Sequence, residues 1–198
     1  MIYEHEGKRP RIASSAYVAP NAVVCGDVTV GEDARILFGA VLTAEGGSVE
    51  VGTSSIVMEQ ALVRGRAAAP AHIGDNVLVG PHSHVNGGRL DDEVFLATGV
   101  AVFPGARVGR ASEVRINGVV HVNAALPAET TVPIGWIAVG DPARVFSPEQ
   151  HDQLWEIQRR SDFPSTVFGL PREEASMERV TARYAEMFGQ HRRDRRLD

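Results

Sequence analysis

A repeat of six residues constrains the fold of this chain more than any other feature. From Ala16 to about Val139, small apolar residues recur every six positions and are often followed by glycine, as in Ile73-Gly74 and Val79-Gly80. This period fits neither an amphipathic helix nor a hairpin sheet. It is typical of a solenoid in which three short strands make one triangular coil. We therefore predict an all-β solenoid.

The repeat also predicts which residues point inward. Each aliphatic residue should face the interior and stack on its equivalent in the next coil, while Gly and Asn should occupy corners because they tolerate positive φ. A β-sandwich is the competing interpretation, but it requires turn signals every eight to twelve residues. Two stretches, 44–48 and 65–70, break the period and are predicted to be loops, which in solenoids often lie on the functional face.

The composition changes near residue 145, which predicts a solenoid over 1–145 and a helical segment over 146–198 that packs on the solenoid or on a neighbouring subunit. A first helix should open at Pro148, with Ser147 as its N-cap and Gln150 completing the cap, and end at 161–164. A second helix is predicted over 173–188. The charged stretch 191–196 is predicted to be a solvated, frayed end.

Charge and cysteine content narrow the function classes. The net charge is −5, which does not suggest a surface for nucleic acid. The single cysteine, Cys25, rules out an intrachain disulfide and favours a cytoplasmic protein; we expect Cys25 to be a small buried apolar residue. No apolar run is long enough to span a bilayer, so no membrane partner is expected.

Four stretches resemble the gamma-class carbonic anhydrases over roughly the first three quarters of the chain: 17–28, 73–87, 95–100 and 135–143. The closing Gly140-Asp141-Pro142-Ala143 turn also resembles that of hexapeptide acyltransferases. The resemblance implies a left-handed parallel β-helix with C-terminal α-helices. It further implies a homotrimer whose active sites lie between subunits and hold zinc through three histidines.

The residues at the family's three ligand positions are Arg64, Pro81 and Asn86. Arginine has no lone pair to offer, proline has no side-chain donor and asparagine is a poor zinc ligand, so we predict that the metal site is lost and that no zinc is required. The neighbouring positions of the family site carry other residues as well: Met58, Thr43 and Glu45. Only the acidic character of Glu59 is retained.

Strand alternation predicts a column of outward-facing residues in successive coils: Thr43, Arg64, Asn86, Phe103 and His121. His84 should face the same way, whereas Pro81 and His82 should lie at a corner that reaches a neighbouring subunit. We predict that this pocket takes a small anionic or carboxylated substrate, with Arg64 gripping the carboxylate and His84, His82 and Glu59 as acid–base groups.

Several alternatives remain open at the level of the sequence. Arg64 could simply pair with Glu59 or Glu45, and a relocated metal could use His82, His84 and a third histidine. The protein could instead be a hexapeptide acyltransferase with an acyl-CoA co-substrate, since such enzymes present a catalytic histidine near a coil loop. It could also be a non-catalytic scaffold subunit.

Overall fold

The computed structural model describes residues 1–198 and shows a left-handed parallel β-helix, which confirms the predicted fold class. Three sheets form the sides of the triangular coil, and each is named here by its order along the chain. The first sheet has ten strands: Ile2–Glu4, Val23–Cys25, Val41–Glu45, Leu62–Arg66, His84–Asn86, Ala101–Val102, Val119–Val120, Ile137–Val139, Arg144–Phe146 and Arg195–Arg196.

The other two sheets have seven strands each and are parallel throughout. The second consists of Arg11–Ile12, Val28–Val30, Val49–Val51, Ala71–Ile73, Gly88–Leu90, Ala106–Val108 and Ala125–Leu126. The third consists of Tyr17–Val18, Arg35–Ile36, Ile56–Val57, Leu78–Val79, Phe95–Leu96, Glu113–Val114 and Thr131–Val132. Pairing along each sheet runs from one coil to the next.

The core consists of the inward aliphatic residues, which stack as predicted. In the first sheet, Val24 pairs with Leu42, Leu42 with Val63, and Val63 with Val85. All four side chains are fully buried. Burying such a side chain contributes about 1.5–3 kcal/mol, so the stack stabilises the coils and holds the strands in register.

The repeat glycines have two roles, of which one was predicted: Gly39, Gly99 and Gly105 adopt positive φ at corners, as expected. Corner residues with positive φ include Asn76 and Asn123, as expected, but also Gln60 and His82. The glycines that follow inward residues, such as Gly80, are not among the positive-φ positions. A Cβ added to Gly80 would lie 2.6 Å from the carbonyl oxygen of Leu96 in the next coil. Glycine is therefore required there because the next backbone approaches closely.

The C-terminal segment contains three α-helices: His151–Gln158, Phe163–Phe168 and Met177–Gly189. Three 3-10 turns accompany them: Pro148–Gln150, Arg172–Glu174 and Gln190–Arg193. The predicted cap is present, because the backbone N–H of Ser147 donates to Gln150 Oε1 at 2.9 Å. The last helix starts later than predicted, because the hydroxyl oxygen of Ser176 accepts from the N–H of Arg179 and caps it there. None of the helices is long and apolar enough to cross a membrane.

The prediction of a frayed end at 191–196 is wrong. Arg195–Arg196 pairs antiparallel with Ile2–Glu4 at the edge of the first sheet. Arg195 also donates to Glu4 at 2.7 Å. The pairing provides hydrogen-bond partners for backbone groups that would otherwise be unpaired at the sheet edge. The charge of the segment does not reveal that it forms a strand.

Candidate functional site

The outward face of the first sheet carries a column of polar residues, as the alternation predicts. Cys25 pairs with Thr43, Thr43 with Arg64, and Arg64 with Asn86. Thr43 and Asn86 are buried although they point away from the solenoid core. Something outside the solenoid therefore covers the column.

That cover is the C-terminal segment of the same chain. Phe163 lies 6.0 Å from both Phe103 and His121, measured between ring centroids. The guanidinium carbon of Arg64 lies 5.2 Å from the centroid of the Phe188 ring, which is a cation–π contact. A chain of neighbouring rings runs beneath the helices through Phe163, Phe168, Tyr184, Phe188, His191 and His5. The helices thus form one wall of the site, at a place where the sequence predicts a neighbouring subunit.

Five buried polar atoms on this face have no hydrogen-bond partner within the chain. Two of them, Glu45 Oε2 and His121 Nδ1, lie in other coils, and three are on neighbouring residues: Arg64 Nε, His84 Nε2 and Asn86 Oδ1. Arg64 and Asn86 are direct cross-strand partners, and His84 lies two residues before Asn86 on the same face of its strand. An unsatisfied buried polar atom costs about 1–3 kcal/mol. Three such atoms side by side therefore indicate a place where a ligand would supply the missing hydrogen bonds.

Electrostatics keep the imidazole beside Arg64 uncharged. Burial, and then the positive charge of Arg64, lower the pKa of His84 below its usual value. His84 is therefore a neutral imidazole at neutral pH and can accept a proton. Burial also lowers the pKa of His121, but the Nε2 atom of this ring contacts Gln158 Nε2 at 2.9 Å, so the helix over it already engages that nitrogen.

A second cluster, His5, Cys25, His191 and Asp194, lies one coil beyond Thr43 on the same column. Asp194 accepts from His5 Nδ1 at 2.6 Å, from His191 Nδ1 at 2.7 Å and from Cys25 Sγ at 3.4 Å. Glu45 adjoins the cluster, with Oε1 3.1 Å from His191 Nε2 and 2.8 Å from the Thr43 hydroxyl that donates to it. Cys25 is a small buried residue, as predicted, but its sequence context does not reveal these neighbours.

The pKa values in this cluster reflect both burial and hydrogen bonding. Burial, and then the charge of Asp194, raise the pKa of Cys25 to about 12. Desolvation opposes ionisation of Asp194, yet hydrogen bonds from His191 and His5 hold its pKa below the usual value. Desolvation likewise opposes the charge on His191, but Asp194 and Glu45 raise its pKa. Cys25 is therefore a thiol at neutral pH and not a ready nucleophile.

Two cavities adjoin these residues. One of about 380 Å³ lies over the column. Arg64 and Phe188 line one part of it, and the second cluster lines the other part through Cys25, His191 and Asp194, with Thr43 and Glu45 also in the lining. Its lining includes Arg64 but neither His84 nor Asn86, which belong to the next coil. The cavity therefore ends at Arg64.

The second cavity has a volume of about 510 Å³ and lies between the 65–70 loop and the last two α-helices. Its lining includes Arg66, Arg183 and Glu45. Residues of both predicted loops contribute to it, in keeping with insertions that fall on one face. The loops are shorter than predicted, because the strands Val41–Glu45 and Leu62–Arg66 include residues 44–45 and 65–66.

Other predicted site residues lie elsewhere in the single chain. Pro81 and the exposed His82 occupy the corner between the third and first sheets, where the N–H of His82 donates to the carbonyl of Glu59 at 3.1 Å. Met58 precedes Glu59 at the same corner of the preceding coil. Phe103 and His121 are on the column but pack under Phe163. None of these residues lines either cavity.

The donors around Arg64 do not suit a zinc ion. A guanidinium lies between Thr43 and Asn86, and His84 supplies the only imidazole on these paired strands. Zinc sites require several imidazole, thiolate or carboxylate donors around one point. Within one chain, His82 and His84 belong to no group of three or more metal-binding side chains.

Comparisons with known proteins find relatives among the gamma carbonic anhydrases. No family model matches it. It is 32% identical over 143 residues to gamma carbonic anhydrase 1, mitochondrial, of Arabidopsis thaliana, an alignment that covers 69% of this chain and 50% of that protein. It is 25% identical over 159 residues to a carbonic anhydrase of Geobacillus kaustophilus, covering 80% and 84% respectively. The chain thus spans about half the length of the Arabidopsis relatives it matches.

Solved structures agree on the fold. A Bacillus cereus protein whose structure carries an acetyltransferase assignment superposes with a TM-score of 0.56 at 22% identity, covering 94% of this chain and 96% of that one. The UDP-N-acetylglucosamine acyltransferase of Francisella novicida gives 0.54 at 16% identity, covering 96% and 85%. Fold and repeat together define a left-handed β-helix protein of the hexapeptide-repeat class. Within that class the chain is a gamma-carbonic-anhydrase-like protein.

Proposed function

We propose that this protein binds a small anionic, carboxylate-bearing compound at Arg64 and acts on it without a metal ion at that position. The observation that carries the proposal is the set of three adjacent buried polar atoms without partners: Arg64 Nε, His84 Nε2 and Asn86 Oδ1. Arginine holds carboxylates in a bidentate grip and stays charged at every physiological pH. A fixed cation would thus serve where the family resemblance implies zinc.

In this proposal the residues around Arg64 have different roles. His84, with its lowered pKa, accepts a proton from the substrate or from water. Asn86 orients the ligand, while Thr43 and Glu45 line the cavity that ends at Arg64. The reaction would be hydration, dehydration or hydrolysis of a thioester, all of which need a proton acceptor near a polarised carbonyl.

We further propose that the active assembly is a homotrimer. Large apolar side chains are exposed on the third sheet and on the corners beside it, among them Tyr17, Phe38, Phe95, Ile116 and Ile134, with exposures of 37–65%. A soluble monomer rarely exposes such a set in one region. A partner's corner, carrying Pro81, His82, Met58 and Glu59, would then approach the Arg64 column, and His82 could supply a second base. The cytoplasmic location also remains a prediction.

The test is calorimetric titration of acetate and of bicarbonate into the untagged protein. Arg64→Gln should weaken acetate binding by about 10- to 100-fold, because the charge-assisted hydrogen bonds are worth about 1.5–3 kcal/mol. Arg89→Gln is the matched control: Arg89 also faces outward from a strand, in the second sheet, but its side chain is 57% exposed. That variant should bind acetate like the unmodified protein.

The remaining outcomes contradict the proposal in different ways. Equal affinity of Arg64→Gln and the unmodified protein would remove Arg64 from the site. Binding of acetyl-CoA without binding of acetate would favour acyl transfer, for which the structural neighbours support only the fold. No binding of any probe, with light scattering showing an intact assembly, would favour a non-catalytic scaffold.

A further inference from the structure

The cluster of His5, Cys25, His191 and Asp194 gathers four metal-binding side chains from distant parts of the chain. One ligand atom from each lies within 4.8 Å of all the others. His5 follows the strand Ile2–Glu4, and Cys25 ends the strand Val23–Cys25. His191 lies in the 3-10 turn Gln190–Arg193, and Asp194 follows that turn. The family position at Arg64 lies two coils away along the same column, at the other end of the cavity that Cys25, His191 and Asp194 also line.

The donor types suit one class of ion. Two imidazole nitrogens, one sulfur and one carboxylate oxygen match the ligands of zinc. Donors around a tetrahedral zinc ion are spaced by about 3.3–3.6 Å, given bond lengths of about 2.0–2.3 Å. The contacts of Asp194 with His5, His191 and Cys25 measure 2.6, 2.7 and 3.4 Å and use both of its carboxylate oxygens. All four ligand atoms lie within 4.8 Å of one another, so shifts of about 1 Å would bring them to the spacing of a zinc shell.

Buried negative charge supplies an independent indication. The side chain of Glu45 is 2% exposed, and its Oε2 atom has no hydrogen-bond partner. Its other oxygen contacts His191, so this carboxylate adjoins the cluster directly. With Asp194, two carboxylates share one largely buried place. Buried charges are normally paired or coordinate metals. His191 contacts both carboxylates but can carry only one positive charge, whereas a divalent cation would balance both.

We propose that His5, Cys25, His191 and Asp194 bind one zinc ion. Four protein ligands complete a tetrahedral shell and leave no position for water, which is the mark of a structural site. The ion would clamp the C-terminal segment to the first two coils and so fix Phe188 over Arg64. Binding forms bonds from zinc to Cys25 Sγ, to one carboxylate oxygen of Asp194 and to one nitrogen of each imidazole. The S–H bond of Cys25 breaks and its proton passes to bulk water. Each imidazole binds through a nitrogen that carries no proton, and any second proton on a ring is likewise released to water.

The experiment uses the full, untagged chain after treatment with a chelator. Cobalt(II) and zinc are the probes. Because Cys25 is the only cysteine, a thiolate-to-cobalt charge-transfer band in the near ultraviolet can come from this residue alone. We expect that band, together with the visible d–d bands of tetrahedral cobalt, at one metal per chain. Zinc at 100 times its dissociation constant should raise the thermal midpoint by about 5–10 °C.

Two variants test whether the metal binds at this cluster. Cys25→Ser should abolish the charge-transfer band and weaken zinc binding by about 100-fold or more, while serine keeps a donor for Asp194. His151→Ala, which removes a histidine that is 72% exposed on the first α-helix, should bind both metals unchanged. The proposal is overturned if the unmodified protein takes up no metal, or if it binds cobalt without the charge-transfer band. It is equally overturned if Cys25→Ser binds zinc normally while His84→Gln does not. The spectrum of the unmodified protein decides the question even if a variant fails to fold.

Discussion

Gly65→Ala should lower the free energy of unfolding by about 3 kcal/mol, the upper end of the range for a methyl group forced into a packed region. A Cβ at this position would lie 2.0 Å from the carbonyl oxygen of Ser48 and 2.6 Å from its carbonyl carbon. Neither atom can move away easily, because both belong to the backbone of the preceding coil. For a chain of this length the thermal midpoint should fall by about 6–12 °C.

This substitution also bears on the site, since residue 65 follows Arg64 in the strand Leu62–Arg66, whose last residue lines the larger cavity. Gly189→Ala is the matched control. A Cβ there meets no atom within 4 Å, and alanine favours a helix by about 0.5–1 kcal/mol over glycine, so its midpoint should stay the same or rise. A Gly65→Ala midpoint within about 2 °C of the unmodified protein would mean that the coils are spaced more loosely than these distances indicate.

Asp194→Ala should release the C-terminal end from the first coil, with a local destabilisation of about 3 kcal/mol. The substitution leaves His5, which is 4% exposed, without its carboxylate partner. It also removes the acceptor of His191 and Cys25. Hydrogen exchange should then show faster exchange of the Leu197 amide, which donates to the carbonyl of Ile2.

The measurement is made on metal-free protein, so that it reports the hydrogen bonds alone. Asp141→Ala serves as its control, because Asp141 is 58% exposed and pairs with Arg107 on the surface, where such a pair contributes about 0–1 kcal/mol. Unchanged exchange at Leu197 in Asp194→Ala would show that strand pairing alone holds the tail.

Much of the solenoid could be predicted because its signal is local. The six-residue period fixes which residues point inward, and alternation then places Thr43, Arg64 and Asn86 together on the outside. The same alternation makes Cys25 point outward next to the inward Val24. Because Cys25 is nevertheless buried, another part of the protein must pack over it. The close-approach role of Gly80 was not predictable in the same way, because it depends on the spacing between coils.

The C-terminal contacts could not be predicted from spacing. His5 and Asp194 are 189 residues apart, and no pattern in the chain marks them as partners. The aromatic residues of the last helices show helical spacing, but nothing in that spacing says whether they pack on this subunit or on another. Pairing of Arg195–Arg196 with the first strand depends on which sheet edge is open, which is a property of the whole fold.

The central claim is that the column at Arg64 is an anion site and not a zinc hydrolytic centre. The most direct test is carbon dioxide hydration by the protein loaded with zinc to one ion per chain. We predict a rate no higher than that of buffer, since zinc held by four protein ligands has no bound water to ionise. Zinc-dependent hydration that disappears in Arg64→Gln or His84→Gln would contradict this account and place a catalytic metal at the column.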